Sequence, residues 1–218
     1  MREIKSGRVL LSGADVTALS VAKHRRRGIS YIPADRRHVG SVTEMSVADN
    51  AILGLQRKHA RGWFRNTREE RNSAERLVIR FGIRGAGIES PAGKLSGGNL
   101  QKLILGREIT NGPAVLVAEQ PTRGLDVGAV EDVWKELLQA CEEGKAILLV
   151  SAELEELLNL ADRIAVMFEG RIVATLDAAS ASMEDIGFMM AGGAPGKMEG
   201  AALTTAGQIR EARHGEIV

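Results

Sequence analysis

Two runs of five apolar residues, Ala114-Val115-Leu116-Val117-Ala118 and Ala146-Ile147-Leu148-Leu149-Val150, constrain this chain more than any other feature. Neither alternates with polar residues, so each is expected to be a strand buried on both faces. Between them Val130, Val133, Trp134, Leu137, Leu138 and Cys141 recur at helical spacing, and Gly144 closes the stretch. Strand, helix, strand in that order predicts a parallel sheet covered by helices, an α/β architecture.

The remaining segments extend that pattern. Residues 8–11 before Ser12-Gly13 read as a strand entering a turn, and Ile29–Ile32 as a strand stopped by Pro33. Leu19–Arg27 is expected to be a short basic helix ending at Gly28, with His24-Arg25-Arg26-Arg27 as a solvated helix end suited to the dipole. From Thr43 to about Lys94 the reading is helical. Ser46 caps a helix through Leu55, and Asn66 or Thr67 a longer one with Ala74, Leu77, Val78 and Phe81 on one face. Leu154–Leu160 reads as a helix, and Ile164–Phe168 and Ile172–Leu176 as strands joined by a tight hairpin at Glu169-Gly170. This parses into a partial core over 1–42 and 95–190 and a helical subdomain over 43–94. A Gly/Ala-rich tail over 191–218 is expected to be disordered.

The net charge of +1 hides an asymmetry: residues 1–110 carry 21 Lys/Arg against 10 Asp/Glu, and residues 111–218 carry 8 against 18. The simplest reading is two oppositely charged surfaces that partly neutralise each other. Aromatic residues make up 3% of the chain, which argues against base-stacking platforms and a nucleic-acid partner. Cys141, the single cysteine, excludes an internal disulfide and reads as a buried small hydrophobe. No apolar run approaches the ~20 residues needed to span a bilayer, and Met1–Gly7 holds no signal-peptide apolar region. A cytoplasmic chain is expected.

Two motifs carry chemistry. Leu95-Ser96-Gly97-Gly98-Asn99-Leu100-Gln101-Lys102 opens a helix that Ser96 can cap, with Leu100, Leu103 and Ile104 at helical spacing. A capped, glycine-rich helix start presents unsatisfied amides and the positive dipole end to an anion. The second motif follows the strand at 114–118. Glu119 and Gln120 stand at a carboxyl strand end, where functional groups gather in parallel sheets. A carboxylate there can hold Mg²⁺ through water, and its neighbour can orient an attacking water. Arg123-Gly124-Leu125-Asp126 then turns Asp126 beyond the sheet edge. No Gly-x-x-x-x-Gly-Lys-Ser/Thr occurs in the 218 residues: Gly93-Lys94 lacks the earlier glycine, and Gly196-Lys197 is followed by Met198.

At these residues the chain resembles the ATP-binding cassette (ABC) family, a P-loop NTPase-like fold with an inserted helical subdomain. Leu95–Lys102 is similar to the family's signature motif, Val115–Gln120 to its Walker B strand and Arg123–Asp126 to its D-loop. Gly28–Arg36 resembles the Q-loop region, and Met45–Asn50 the start of the helical subdomain. The form Leu-Ser-Gly-Gly-Asn-x-Gln-Lys with Glu-Gln-Pro-Thr-Arg-Gly-Leu-Asp is similar to one branch: the second cassette of tandem ATPases in bacterial sugar and nucleoside importers. The resemblance runs from about Ser6 to Gly193.

The resemblance implies ATP and Mg²⁺ as cofactors, a second cassette and transmembrane permease subunits as partners, and a peripheral position on the inner face of the plasma membrane. The helical segment 43–94 is expected to face those permease subunits. The chain also departs from the pattern. The resemblance implies that its first residues correspond to the stretch just after the family's strand, phosphate loop and helix. Glu119 stands at the Walker B aspartate position, Gln120 at the catalytic glutamate, Ala152 at the switch histidine and Ala34 at the Q-loop glutamine. Glutamine is no useful base. In this family two cassettes meet head to tail, so Leu95, Ser96, Gly97, Gly98, Asn99 and Asp126 are expected to act in trans, on ATP held by the partner. This chain alone is expected not to hydrolyse ATP. The alternatives are a non-functional fragment of such an ATPase, and a DNA-repair or chromosome ATPase. The ~50 residues between Ile32 and Leu95 show none of the heptads a coiled-coil arm of the latter needs.

Overall fold

The computed structural model describes residues 4–56, 60–61 and 64–193. In chain order the elements are β1 (Leu10–Leu11), β2 (Ala14–Asp15), α1 (Val21–Arg26), β3 (Ile29–Ile32), α2 (Val47–Ala51), β4 (Ala60–Arg61), β5 (Phe64–Arg65), α3 (Thr67–Arg80), α4 (Gly97–Thr110), β6 (Val115–Glu119), α5 (Val127–Glu142), β7 (Ala146–Val150), α6 (Leu154–Leu160), β8 (Arg163–Phe168), β9 (Arg171–Asp177) and α7 (Met183–Met190). Contacts divide the chain into two compact units that meet in sequence at Val150 and Ser151. Most of the segment expected to form a tail, 194–218, lies outside the described residues.

The first unit holds a three-stranded parallel sheet in the order β3-β6-β7. Its register puts Tyr31 beside Val117 and Val117 beside Leu148, so these three share one face. The opposite face carries Ser30, Ile32, Leu116 and Ala118, all fully buried. Helix α4 packs on β3 and α5 on β7. The expectation of double burial fails for β7. Ala146, Leu148 and Val150 are exposed, Leu148 at 57% and Val150 at 48%, and Tyr31 is exposed at 41%. An unbroken apolar run announces two covered faces, and here the face carrying Tyr31 and Leu148 stays open to solvent.

Caps set most helix starts where the sequence placed them. Ser46, Asn66 and Ser96 each accept a hydrogen bond from the amide three residues on. Helix α2 is shorter than expected and stops at Ala51. The all-helical reading of 43–94 also gives way at two places. Ala60–Arg61 and Phe64–Arg65 form a short antiparallel pair, β4 and β5. Residues 82–91 form turns before a single 3₁₀ turn at Ala92–Lys94, with Gly82 and Gly85 at positive φ, a conformation no helix residue adopts.

Buried charge replaces solvated charge in one further place. Arg25, expected at a solvated helix end, pairs with Glu108 at 3.1 Å, and the Glu108 side chain is 1% exposed. Glu108 also accepts from Arg107 at 2.9 Å, while Arg107 donates to the carbonyls of Gly40 (2.8 Å) and Asn50 (3.2 Å). Cys141 corrects another expectation, since it lies exposed on α5 rather than in its apolar face. That face is Ala129, Val133, Leu137 and Ala140.

The second unit is built on the antiparallel hairpin β8–β9. Glu169 and Gly170, at φ 45° and 76°, make the expected two-residue turn. Ile164, Val166, Ala174 and Leu176 join Ile186 and Met189 of α7 in its core.

The two sheet faces predict opposite mutational outcomes. Leu116→Ala should cost about 2–5 kcal/mol by leaving a cavity, whereas Leu148→Lys should stay within about 0.5 kcal/mol of the parent. Urea denaturation checks both. Comparable losses would show that the Leu148 face is covered.

Candidate functional site

Helix α4 begins at an exposed edge and runs into the core. Leu95 is buried at 2%, which fixes the entry of the chain, and Ser96 is exposed. The Ser96 hydroxyl oxygen accepts from the Asn99 amide at 3.3 Å and from Asn99 Nδ2 at 2.9 Å. Asn99 Oδ1 in turn accepts from the Arg84 amide at 2.7 Å. These bonds hold the Asn99 side chain against the cap. The amides of Gly97 and Gly98 lie in the first turn, where no intrahelical carbonyl is available. The geometry suits an anion.

The same helix start meets the turn before α5. A Cβ on Gly98 would lie 3.0 Å from Ala129 Cβ and 4.0 Å from Asp126 Oδ2, so glycine lets the two helix starts approach. Asp126 caps α5 by accepting from the Ala129 amide at 2.9 Å. Arg36 adds a bridge that the sequence did not announce. Its Nη1 donates to the Gly97 carbonyl at 3.3 Å and its Nη2 to the Arg123 carbonyl. Partial burial, with Arg37 next to it, holds the Arg36 guanidinium below its ordinary range. The structure thus brings Ser96, Gly97, Gly98, Asn99 and Asp126 together, with Arg36 between them.

Glu119 and Gln120 stand at the end of β6, as expected. Gln120 adopts φ 47°, a left-handed conformation rare for a residue with a side chain, and its amide donates to Val150 O at 2.7 Å. The carboxylate of Glu119 accepts from the Tyr31 hydroxyl on the exposed sheet face. Partial burial, then that hydrogen bond and the Glu119 charge, push the Tyr31 hydroxyl up to about 12. Tyr31 had no assigned role in the sequence. Its signal was present, a lone tyrosine in β3 whose side the register shares with Val117 and Glu119.

Ala34 is half-buried after β3, and Ala152 is exposed in the second unit. Neither has a polar side-chain group. As a metal site the strand end is poor: one carboxylate oxygen is engaged by Tyr31, and Gln120 brings no charge. Among the described residues no group of three His, Cys, Asp or Glu is placed to hold a metal. Without a nucleotide's phosphates, Glu119 alone does not make a resident Mg²⁺ site, and its second carboxylate oxygen is what would reach the ion through water.

Residues 1–123 match the family described as ABC transporter. The chain belongs to that family. It is 40% identical over 195 residues to the nucleoside import ATP-binding protein NupA of Lactococcus lactis, covering 88% of this chain and 38% of that protein. It is 40% identical over 194 residues to the guanosine import ATP-binding protein NupO of Bacillus subtilis, with the same coverage. The ribose import ATP-binding protein RbsA 2 of Rubrobacter xylanophilus is 38% identical over 180 residues, 83% of this chain and 35% of that one. The chain therefore spans about 38% of the length of its first relatives. Among solved structures, a dimeric ATP-binding cassette in a post-hydrolysis state bound to ADP and Pi matches with TM-score 0.68 and 22% identity, over 80% of this chain and 74% of that one. A nucleotide-free cassette from an ABC transporter gives 0.68 at 24% identity, over 81% and 71%. The fold is that of ABC cassettes, a family that binds ATP with Mg²⁺. No helix among the described residues is long and apolar enough to cross a membrane.

The Tyr31–Glu119 bond has a pH signature. A raised pKa in the folded state means this contribution to stability is complete below pH 10.0, the ordinary tyrosine value, and is lost as pH rises through about 12. Tyr31 is the single tyrosine, so phenolate absorbance reports it alone. The midpoint should lie near 12 and fall toward 10.0 in Glu119→Gln. A midpoint near 10.0 in the parent chain would contradict the bond.

Proposed function

We propose that this chain is an ATP-binding cassette portion of a bacterial importer for sugars or nucleosides, and that it donates its signature helix to ATP held on a second cassette. One observation carries the reading: the helix start at Ser96–Asn99 is capped, open and joined to Asp126, while the positions that would serve ATP in cis are Gln120, Ala34 and Ala152. The named importers among its relatives support the substrate class.

In this reading Ser96 and the Gly97 and Gly98 amides stabilise developing phosphate charge on the partner's nucleotide. Preformed donors there need no reorganisation when charge develops. Asn99 keeps the Ser96 hydroxyl oxygen occupied as an acceptor, leaving its proton to donate outward. Asp126 orders the turn that reaches across to the second cassette. Residues 1–42 and 95–190 serve as the cassette core, and 43–94 as the helical subdomain facing transmembrane permease subunits at the cytoplasmic face of the plasma membrane. Nucleic acid has no part in it.

A second reading rests on the exposed Tyr31, Leu148 and Val150. It takes the 218 residues as a fragment of a longer ATPase, without function by itself.

Substituting Ser96 with Arg places a bulky side chain over the helix start. In a reconstituted pair, the partner's hydrolysis should fall at least about 100-fold, the scale of losing one preformed donor. Gln120→Glu should confer no hydrolysis on this chain. A pair whose turnover is indifferent to Ser96→Arg sinks the donation.

A further inference from the structure

Residues 33–42 run as a strap along one side of α4. At its far end, Arg107 donates to the Gly40 carbonyl, and a Cβ on Gly40 would lie 2.6 Å from Ile104 Cδ1. Asn50 clamps the strap's exit: its side-chain amide donates to Val42 O and its side-chain oxygen accepts from the Val42 amide, each at 2.8 Å. The near half is set by its own turn. Asp35 Oδ1 accepts from the amides of Arg37 and His38 at 3.1 and 3.0 Å, and the Ser41 hydroxyl donates to Arg36 O at 2.7 Å. The strap therefore spans from Arg107 to Gly97, about 15 Å of helix at 1.5 Å per residue.

Arg36 sits at the head of this strap, and its two Nη groups go to two different segments. One donates to Gly97 O in the first turn of α4, the other to Arg123 O in the turn before Asp126. No other element between them supplies a charged donor to both carbonyls among the described residues. We infer that Arg36 is a positioning residue that locks the Ser96–Asn99 helix start to the Arg123–Asp126 turn, so that both present themselves to a partner as one rigid surface. Its guanidinium suits the task. The planar fork offers donors in fixed directions, which a single ammonium cannot reproduce. The glycines fit as well: a Cβ on Gly97 would lie 3.3 Å from Arg36 Nη1, and one on Gly124 3.8 Å from Nη2.

The clasp itself stands on the geometry. Its consequence for turnover rests on the donation proposed above, and the two are tested separately. In the full 218-residue chain, hydrogen exchange is followed at the Asn99 and Leu100 amides, bonded to Ser96, and the Leu125 amide, bonded to Thr122 O. Arg36→Met should accelerate all three about tenfold, the scale of one lost charge-assisted hydrogen bond, and leave Val133 in α5 unchanged. Arg36→Lys keeps one donor and should restore protection at one of the two segments but not both. Unchanged exchange, or a uniform acceleration reaching Val133, overturns the clasp.

In the reconstituted pair, Arg36→Met should lower the partner's kcat about tenfold while KM for ATP stays within about twofold, because the clasp touches no nucleotide. An unchanged kcat in a pair that Ser96→Arg does inactivate overturns the positioning role. A pair indifferent to Ser96→Arg indicts the donation instead, and the exchange experiment still judges the clasp.

Discussion

The first unit depends on the burial of α4. Leu100, Leu103, Ile104 and Leu105 have no exposed surface, and Gln101, Arg107 and Glu108 are buried with them. A helix enclosed on nearly every side must pair the charges it takes inside. Glu108 lies between Arg25 and Arg107, and Arg107 reaches two backbone carbonyls. Burial pulls the Arg107 guanidinium below its ordinary range, with Glu108 acting in the opposite direction. Gly106 leaves room for the Phe81 ring, which a Cβ there would meet at 2.7 Å. These contacts tie α1, α2, α3 and the strap to one helix. What they hold still is its exposed start.

The two ends of the cassette chemistry are therefore unequal. The helix start is capped at Ser96, braced through Asn99 and Arg84, and placed against Asp126 through Gly98. At the strand end the Glu119 carboxylate is engaged by Tyr31 on the exposed sheet face, and Gln120 adopts a left-handed conformation. Gln120 held at positive φ costs roughly 1–3 kcal/mol, which the sharp turn after β6 carries.

Local chemistry made much of this legible in the sequence. Serine and asparagine caps, the strand at Ile29–Ile32 and the Glu169-Gly170 turn each depend on a few adjacent residues. The misses are non-local. An apolar pentapeptide such as Ala146–Val150 does not say how many of its faces are covered. The His24–Arg27 run looks solvated until Glu108, 83 residues on, lies against Arg25. Arg36 offers no periodicity or spacing, because its partners are carbonyls at Gly97 and Arg123. One signal was there to be used: Arg107-Glu108, a charged pair in the run Leu103-Ile104-Leu105-Gly106-Arg107-Glu108-Ile109, announces a buried network.

If the chain serves ATP held on a second cassette, as proposed, it holds no complete nucleotide site of its own. Equilibrium titration of the purified 218-residue chain with a fluorescent ATP analogue and Mg²⁺ decides this. No saturable binding by the chain alone is expected. Tight, Mg²⁺-dependent binding to the isolated chain would contradict it.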